Sequence, residues 1–257
     1  MLLVKLLIDI GNTRIKWAFD NGSGLVSAGE AVHRGKPEAK AADFVAALQL
    51  VPESACAVNV AGAGVEAVIA DKLTACFGIE LSMVRTAKHF GDVVNGYSAT
   101  DQLGADRWAA IVGAWQLYRR SVCIIDAGTA VTIDAVAQDG CHHGGIIVPG
   151  LALMHASLNS DTSDIVGFVK QSDRPLAGNE WFGTDTRSAV ESGVLFMLSA
   201  AINRAVAEIS KTGNMPVIIL TGGDAEIIGP LITQPVDYRP MLVLEGLCYL
   251  AAGSPDA

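Results

Sequence analysis

The chain has 257 residues, and its 27 acidic against 18 basic side chains give a formal net charge of −9. This charge argues against nucleic acid as the main partner, because a nucleic-acid-binding surface needs basic residues that displace counterions from phosphates. Hydrophobic residues make up 51% and charged residues 18% of the sequence. Such a balance is typical of a globular chain with an aliphatic core, and it excludes disorder and coiled coil.

Membrane segments and cysteine sites are not predicted. No uninterrupted apolar run approaches the roughly 20 residues of a membrane helix, and the apolar N-terminus is broken by Lys5 and Asp9. We therefore expect a cytoplasmic protein that makes no membrane contact. The five cysteines are odd in number and scattered, without a CxxC pair. They are predicted to be small core residues rather than ligands of a metal ion.

An internal repeat divides the sequence. Residues 6–13 and 123–130 share one pattern, in which an apolar strand ends in Asp, one further residue, Gly and a small polar residue. A second strand-like run follows each of them, at 15–19 and 131–136. Each half of the chain is therefore predicted to open with the same kind of hairpin.

A second pair of segments supports the duplication. Residues 57–64 and 217–224 each run from an apolar strand through a glycine turn into a helical pattern. The helical spacing of apolar residues predicts helices at 37–50, 65–76, 103–118 and 185–211, with a short one from 225. We predict an α/β protein of two lobes, 1–118 and 119–257, with the active site between them.

Two glycine turns, from Asp9 to Thr13 and from Asp126 to Thr129, are candidate phosphate sites. Glycine lets the backbone approach a ligand closely, and fixed N–H groups of a turn bind phosphate oxygens. Lys16 adds a point charge, and Asp9 is suited to a hydrated Mg²⁺. For either turn alone, an ordinary hairpin turn held by its Asp side chain is the alternative. Two matching turns that face each other favour phosphate binding, because phosphoryl transfer needs donors on both sides of the phosphate chain.

A third glycine turn, from Thr221 to Ala225, stands between a strand and a helix. Gly222 and Gly223 would allow a flat adenine or a ribose to lie on the backbone. The alternative is ordinary scaffolding, since two glycines are common where a strand leads into a helix.

The segment from Gly104 to Arg107 opens the helix at 103–118, with Thr100 or Asp101 as the predicted N-cap. In the first turn Asp106 would be kept ionised by the helix dipole, as a base that accepts a hydroxyl proton must be. The planar guanidinium of Arg107 suits a carboxylate or a phosphate. The alternative for Asp106 is an acidic residue that only favours the helix start.

Two other segments carry no predicted chemistry. The pair His142-His143 could suggest a metal, but adjacent residues of a strand point to opposite faces, and we expect a loop here. Residues 194–202 form an apolar helical stretch that is more typical of a core or of a subunit contact than of a ligand site.

Taken in order, five segments resemble the type III pantothenate kinases of the actin-like ATPase superfamily. They are the turn from Asp9, Tyr97 with Gly104-Ala-Asp-Arg107, Asp126-Ala-Gly-Thr-Ala-Val-Thr132, Gly144-Gly-Ile-Ile-Val-Pro-Gly150 and Thr221-Gly-Gly-Asp-Ala225. The resemblance covers nearly the whole chain. It implies a duplicated ribonuclease-H-like fold, a homodimer, and transfer of the ATP γ-phosphate to the primary hydroxyl of pantothenate, the first step towards coenzyme A.

The resemblance also implies roles for individual residues. Asp106 would be the general base. Asp126 would hold a monovalent cation, K⁺ or NH₄⁺, and Asp9 would bind Mg²⁺ through water. The residues expected to contact ATP are Asp9, Ile10, Gly11, Asn12, Thr13, Arg14, Ile15, Lys16, Thr129, Gly222 and Gly223. Those expected around pantothenate are Tyr97, Gly104, Ala105, Asp106, Arg107 and Thr186.

A regulator and another kind of kinase are the alternatives to this function. Some members of the family were first described as accessory factors for transcription, so a non-catalytic regulator is an alternative. Both phosphate turns and Asp106 are present, which argues against a kinase that has lost its activity. A sugar or acetate kinase of the same superfamily is the alternative among enzymes.

Overall fold

The computed structural model describes residues 4–33, 37–161, 181–211 and 215–253. The chain divides into two compact units. The first comprises Met1–Arg119, Gln138–His143 and Met241–Ala257, and the second comprises Arg120–Ala137 and Gly144–Pro240. The division that the sequence suggested, between residues 118 and 119, stays a prediction.

The elements of the described residues follow one another in a mixed α/β order. The strands are β1 (Lys5–Ile10), β2 (Arg14–Asp20), β3 (Leu25–Val32), β4 (Ser54–Asn59), β5 (Leu81–Met83), β6 (His89–Phe90), β7 (Val93–Val94), β8 (Val122–Ala127), β9 (Ala130–Val136), β10 (His142–Pro149), β11 (Val217–Thr221) and β12 (Val236–Tyr238). The helices are α1 (Pro37–Ala46), α2 (Ala63–Phe77), α3 (Ala105–Tyr118), α4 (Leu151–Asp161), α5 (Thr186–Ser210), α6 (Ala225–Ile228) and α7 (Leu242–Ala252).

The two larger sheets have the same topology. Their strand orders are β3-β2-β1-β4-β5 and β10-β9-β8-β11-β12. In each sheet the first hairpin is antiparallel, and the strand that leads into a glycine turn and a helix pairs in parallel with the first strand. The internal repeat and the α/β fold class predicted from the sequence are confirmed.

The core of the first unit forms where the apolar residues of the β1–β2 hairpin face two helices. Leu6, Ile8 and Ile10 pack with Phe44 of α1 and Ile69 of α2, and all five are fully buried. The alternate residue Leu7 is also fully buried. Because β1 is buried on both faces, it is a nearly continuous apolar run rather than an alternating one.

The core of the second unit forms between its sheet and helix α5. Val194, Leu198 and Ile202 of α5 pack on β8 residues such as Ile125, which confirms the prediction of a core role for this stretch. By length and composition, α5 is also the single described helix that is able to cross a membrane. Its buried stripe contributes to this core, as that of a core helix in a globular domain does.

The close packing of α3 against α7 in the first unit depends on two glycines. A Cβ atom on Gly113 would lie 3.0 Å from the Cα atom of Gly246, and one on Gly246 would overlap the carbonyl of Ala109. The two helices therefore approach closely, and this contact holds α3, the helix that carries Asp106 in its first turn. Helix α7 was not predicted from the sequence.

Several local predictions were wrong. The N-cap of α3 is Gly104, whereas Thr100 and Asp101 form a separate 3₁₀ turn. Helix α1 ends at Ala46 rather than at residue 50. The pair His142-His143 begins β10 instead of lying in a loop. Of the cysteines, Cys56 and Cys123 are buried as expected, but Cys76 is exposed.

Candidate active site

The turn between β1 and β2 is tight. Ile10 pairs with Ile15 as the last rung of the hairpin, and the Gly11 N–H donates to the Arg14 carbonyl at 3.0 Å. Asp9 pairs across the hairpin with Lys16. Directly paired residues lie on the same face of a sheet, so the carboxylate and the ammonium group predicted to serve one phosphate site share a face.

The predicted ATP-contacting residues of this turn differ in what they can offer. The side chains of Ile10 and Ile15 are fully buried in the first core, so only their backbone can meet a ligand. Arg14 donates to Glu30 at 2.9 Å on the surface. Asn12 lies exposed at the tip of the turn, beside the partly buried Thr13.

His33, which the sequence analysis missed, holds the same turn. Its Nε2 atom lies 2.7 Å from the Gly11 carbonyl oxygen, and its backbone N–H donates to the Thr13 carbonyl at 2.9 Å. Its exposed fraction is 3%. A buried residue that contacts the turn through both its side chain and its backbone fixes the orientation of the turn's peptide groups.

The second turn, between β8 and β9, lies at the matching place in the second unit. The Gly128 N–H donates to the Ala130 carbonyl at 3.1 Å, and the Gly150 N–H donates to the Thr129 carbonyl at 3.0 Å. A Cβ atom on Gly150 would lie 2.7 Å from the Thr129 oxygen. The glycine that ends the Gly144 to Gly150 segment therefore packs directly against the turn.

The glycine pair meets the second turn. Gly222 has a φ of 97°, and a Cβ atom on it would lie 2.5 Å from Asp126 Oδ1. The Asp224 N–H donates to the Ala127 carbonyl at 2.9 Å. Gly223 is exposed beside the buried Gly222. The structure thus brings Asp126, the turn that carries Thr129 and the glycine pair together in one unit.

The segment from Gly104 to Arg107 lies beside the end of β1. Gly104 is the N-cap of α3, and Ala105 is its first residue. The Arg107 N–H donates to Asp106 Oδ1 at 2.7 Å, and a Cβ atom on Gly104 would lie 2.6 Å from that oxygen. The Asp106 carboxylate therefore folds back over the start of its own helix.

Val60 joins this segment to the first turn. Its backbone N–H donates to the Ile10 carbonyl at 3.0 Å. Its side chain lies 3.8 Å from the place of a Cβ atom on Gly104. Because β1 and β4 run in parallel, both end at this edge, and the helix that carries Asp106 begins there.

Tyr97 is in contact with Arg107. The Arg107 Nη1 atom donates to the Tyr97 hydroxyl at 2.9 Å. Arg107 is buried, with 8% of its surface exposed. The Tyr97 N–H donates to the side-chain oxygen of Asn95 at 2.9 Å. Asn95 is fully buried, and the sequence analysis missed it.

Thr186 is the first residue of α5 and is exposed. The preceding Asp185 is the N-cap and forms a capping box with Ser188. Hydrogen bonds from the Ser188 backbone and hydroxyl lower the pKa of the Asp185 carboxyl, so Asp185 is a negative charge beside Thr186 at neutral pH. Within the described ranges, no three His, Cys, Asp or Glu side chains cluster as metal ligands.

The sequence and the fold were compared with known proteins. The sequence model of the family described as type III pantothenate kinase matches residues 5–208. A type III pantothenate kinase of Chromobacterium violaceum is 37% identical over 256 residues, covering 96% of this chain and 99% of that protein. Another, from Azoarcus sp., is 35% identical over 250 residues, covering 96% of this chain and 90% of that protein.

Solved structures share the fold. A crystal structure from Campylobacter jejuni, named as a Baf family transcriptional activator, matches with a TM-score of 0.60 and 19% identity, covering 96% of this chain and 97% of that one. One from Sinorhizobium meliloti, named as a 2-dehydro-3-deoxygalactonokinase, matches with a TM-score of 0.58 and 12% identity, covering 96% and 98%. At these identities the likeness concerns the fold alone. The family model and the relatives together cover nearly the whole chain, and the chain therefore belongs to the type III pantothenate kinases.

Proposed function

We propose that this chain transfers the γ-phosphate of ATP to the primary hydroxyl of pantothenate and so forms 4′-phosphopantothenate, the first step of coenzyme A biosynthesis. The observation that carries the proposal is the position of Asp106. Its carboxylate lies in the first turn of α3, at the edge where β1 leads into the turn from Asp9. A carboxylate beside a phosphate-binding turn is the arrangement that phosphoryl transfer to an alcohol requires.

Asp106 is the proposed general base. The positive end of the α3 dipole favours the ionised carboxylate, and the Arg107 N–H donates to it at 2.7 Å. An ionised carboxylate can accept the proton of the pantothenate hydroxyl as that oxygen attacks the γ-phosphorus. The proton moves to Asp106 and the bond from phosphorus to ADP breaks, so charge and atoms balance.

Arg107 and Tyr97 form the proposed acceptor site, together with Gly104, Ala105 and Thr186. Pantothenate carries a carboxylate, and a guanidinium binds carboxylates through two parallel hydrogen bonds. The low exposure of Arg107 strengthens such a bond, because water competes less for the donors. The exposed Thr186 hydroxyl is proposed as a further polar contact.

The nucleotide is proposed to bind through the two matching turns. The turn from Gly11 to Lys16 and the Thr129 hydroxyl would contact the phosphates. The adenosine would lie on the backbone of Gly222 and the exposed Gly223. Mg²⁺ keeps several water ligands and is bound mainly by the substrate phosphates. Asp9 would hold that water shell, and the ion would neutralise charge on the phosphates.

A monovalent cation is proposed at Asp126. Asp126 Oδ1 and the Ala127 carbonyl oxygen both lie close to Gly222, and oxygens of this kind suit a weakly hydrated ion that needs no strict geometry. We expect K⁺ or NH₄⁺ to activate the enzyme and Na⁺ to do so little. Asp126→Asn should raise the KM for ATP and weaken the activation. Initial rates at constant ionic strength measure this, and equal wild-type rates in Na⁺ and K⁺ would remove the proposed role.

The proposal includes a homodimer in the cytoplasm. The outward face of α5 supports a subunit contact, since Phe196 and Met197 are 56% and 55% exposed. Trp181 packs edge-on against Phe196 with ring centres 5.4 Å apart. Nucleic acid is not among the proposed partners, because the chain carries a net charge of −9. A membrane is not among them either, because Val194, Leu198 and Ile202 of α5 are buried in the core of the second unit.

A coupled assay of ADP release tests the function against its alternatives. With ATP and Mg²⁺, pantothenate should be a far better acceptor than sugars or acetate. A preference for a sugar or for acetate would assign the chain to another kinase of the superfamily. If the protein is folded but releases no ADP with any of the three acceptors, the regulatory alternative is favoured.

A further inference from the structure

His142 and His143 are adjacent but differ sharply in environment. His142 is 2% exposed, whereas His143 is exposed. As the first two residues of β10, they point to opposite faces of the strand. The buried ring of His142 is stacked on the ring of Tyr97, with centres 5.8 Å apart and planes inclined by 14°. One member of the pair therefore contacts the proposed acceptor site.

Tyr97 depends on two groups for its position. Asn95 fixes its backbone, since the Asn95 side-chain oxygen accepts from the Tyr97 N–H and the Asn95 amide donates to the Thr100 carbonyl at 3.3 Å. A fixed backbone leaves the two side-chain torsions of a tyrosine open. What packs on the ring selects among them, and His142 is the aromatic group that does so.

The orientation of the Tyr97 ring matters for Arg107. The Arg107 Nη1 atom donates to the Tyr97 hydroxyl at 2.9 Å, and the guanidinium carbon lies 5.4 Å from the centre of the ring. If the Tyr97 ring rotated, both the hydrogen bond and the contact between the ring and the guanidinium would be lost. The three side chains thus form one connected series from β10 through the Tyr97 loop to the start of α3.

We propose that His142 is a positioning residue for the acceptor: its stacked ring holds Tyr97 so that Tyr97 and Arg107 are set to bind pantothenate. The inference rests on the proposed function, because it assigns pantothenate to these two residues. His142 itself is not proposed to touch the reacting atoms. Its effect should therefore fall on acceptor affinity rather than on the chemical step.

Two replacements that fill the buried site separate stacking from burial. His142→Phe keeps an aromatic ring and should leave the KM for pantothenate within about 2-fold of wild type, while His142→Leu should raise it about 10-fold, the order of an aromatic pair's contribution. The KM for ATP and the kcat should change little in both variants. His143→Leu is the matched control on the same strand, and it should behave as wild type.

A double-mutant cycle shows whether His142 acts through Tyr97. In a Tyr97→Leu background, His142→Leu should add nothing further to the KM for pantothenate, because the ring that it orients is gone. Additive effects would overturn the inference. Equal KM values for pantothenate in His142→Phe and His142→Leu would also overturn it. So would a roughly 10-fold rise of this KM in His142→Phe, and that result can be obtained even if the leucine variant does not fold.

The same assays keep the two proposals apart. If wild type does not phosphorylate pantothenate, the proposed function fails whatever the variants do. If wild type is active and His142→Leu has a normal KM for pantothenate, only the role of His142 is wrong.

Discussion

Asp106→Asn should lower kcat by about 10² to 10⁴-fold, the range expected when a general base is removed. Asparagine has nearly the same shape as aspartate, and its side-chain oxygen can still accept the Arg107 N–H. It cannot take a proton from the attacking hydroxyl. The KM values for ATP and pantothenate should therefore stay close to those of wild type, and steady-state kinetics with both substrates measure the difference.

Asp101→Asn is the control for this variant. Asp101 is an exposed carboxylate in the 3₁₀ turn just before the same helix, so its replacement changes the net charge equally. It should leave kcat unchanged. A near-normal kcat for Asp106→Asn would show that another group takes the proton. An equal loss of kcat in the two variants would show that the loss comes from the change in net charge and not from the removal of a general base.

Gly222→Ala should lower kcat/KM for ATP about 100-fold, the loss that a displacement of roughly 1 Å can cause. A Cβ atom would lie 2.5 Å from Asp126 Oδ1 and would overlap the Ala127 carbonyl. Both belong to the second turn, so the turn and its carboxylate must move apart from the glycine pair. Initial rates at varied ATP concentration measure the loss.

Gly62→Ala separates backbone strain from this overlap. Gly62 has a φ of 94° at the corresponding strand-to-helix turn of the first half, and a Cβ atom there meets nothing within 4 Å. Its replacement should cost about 1–3 kcal/mol of unfolding free energy through strain alone, with a normal KM for ATP. If Gly222→Ala loses stability by the same amount and keeps its ATP kinetics, the proposed nucleotide contact at Gly222 is wrong.

Much of the fold could be predicted because its signals are local. The strands that end in Asp9 and Asp126 have the same residue pattern, and each pattern spans fewer than ten residues in the chain. Two copies of one local pattern predict two copies of one hairpin, and the matching strand orders confirm this. Helices α1, α2, α3, α5 and α6 followed from apolar spacing in the same way, whereas α4 and α7 were not predicted.

The contacts that support the site could not be predicted, because they join residues distant in sequence. His33 meets Gly11 across 22 positions, and His142 meets Tyr97 only because β10 begins beside that loop. The predicted N-cap failed for a related reason. Thr100 and Asp101 have side chains suited to an N-cap, but they are part of a separate 3₁₀ turn, and the helix starts after Gly104.

The product of one reaction tests most directly whether the protein phosphorylates pantothenate. The wild-type protein is incubated with ATP, Mg²⁺, K⁺ and pantothenate, and the mixture is analysed by mass spectrometry beside an Asp106→Asn sample at the same concentration. We expect 4′-phosphopantothenate and ADP in equal amounts with wild type, and only a trace of either product with the variant. A folded wild-type protein that forms no phosphorylated pantothenate under these conditions would contradict this expectation.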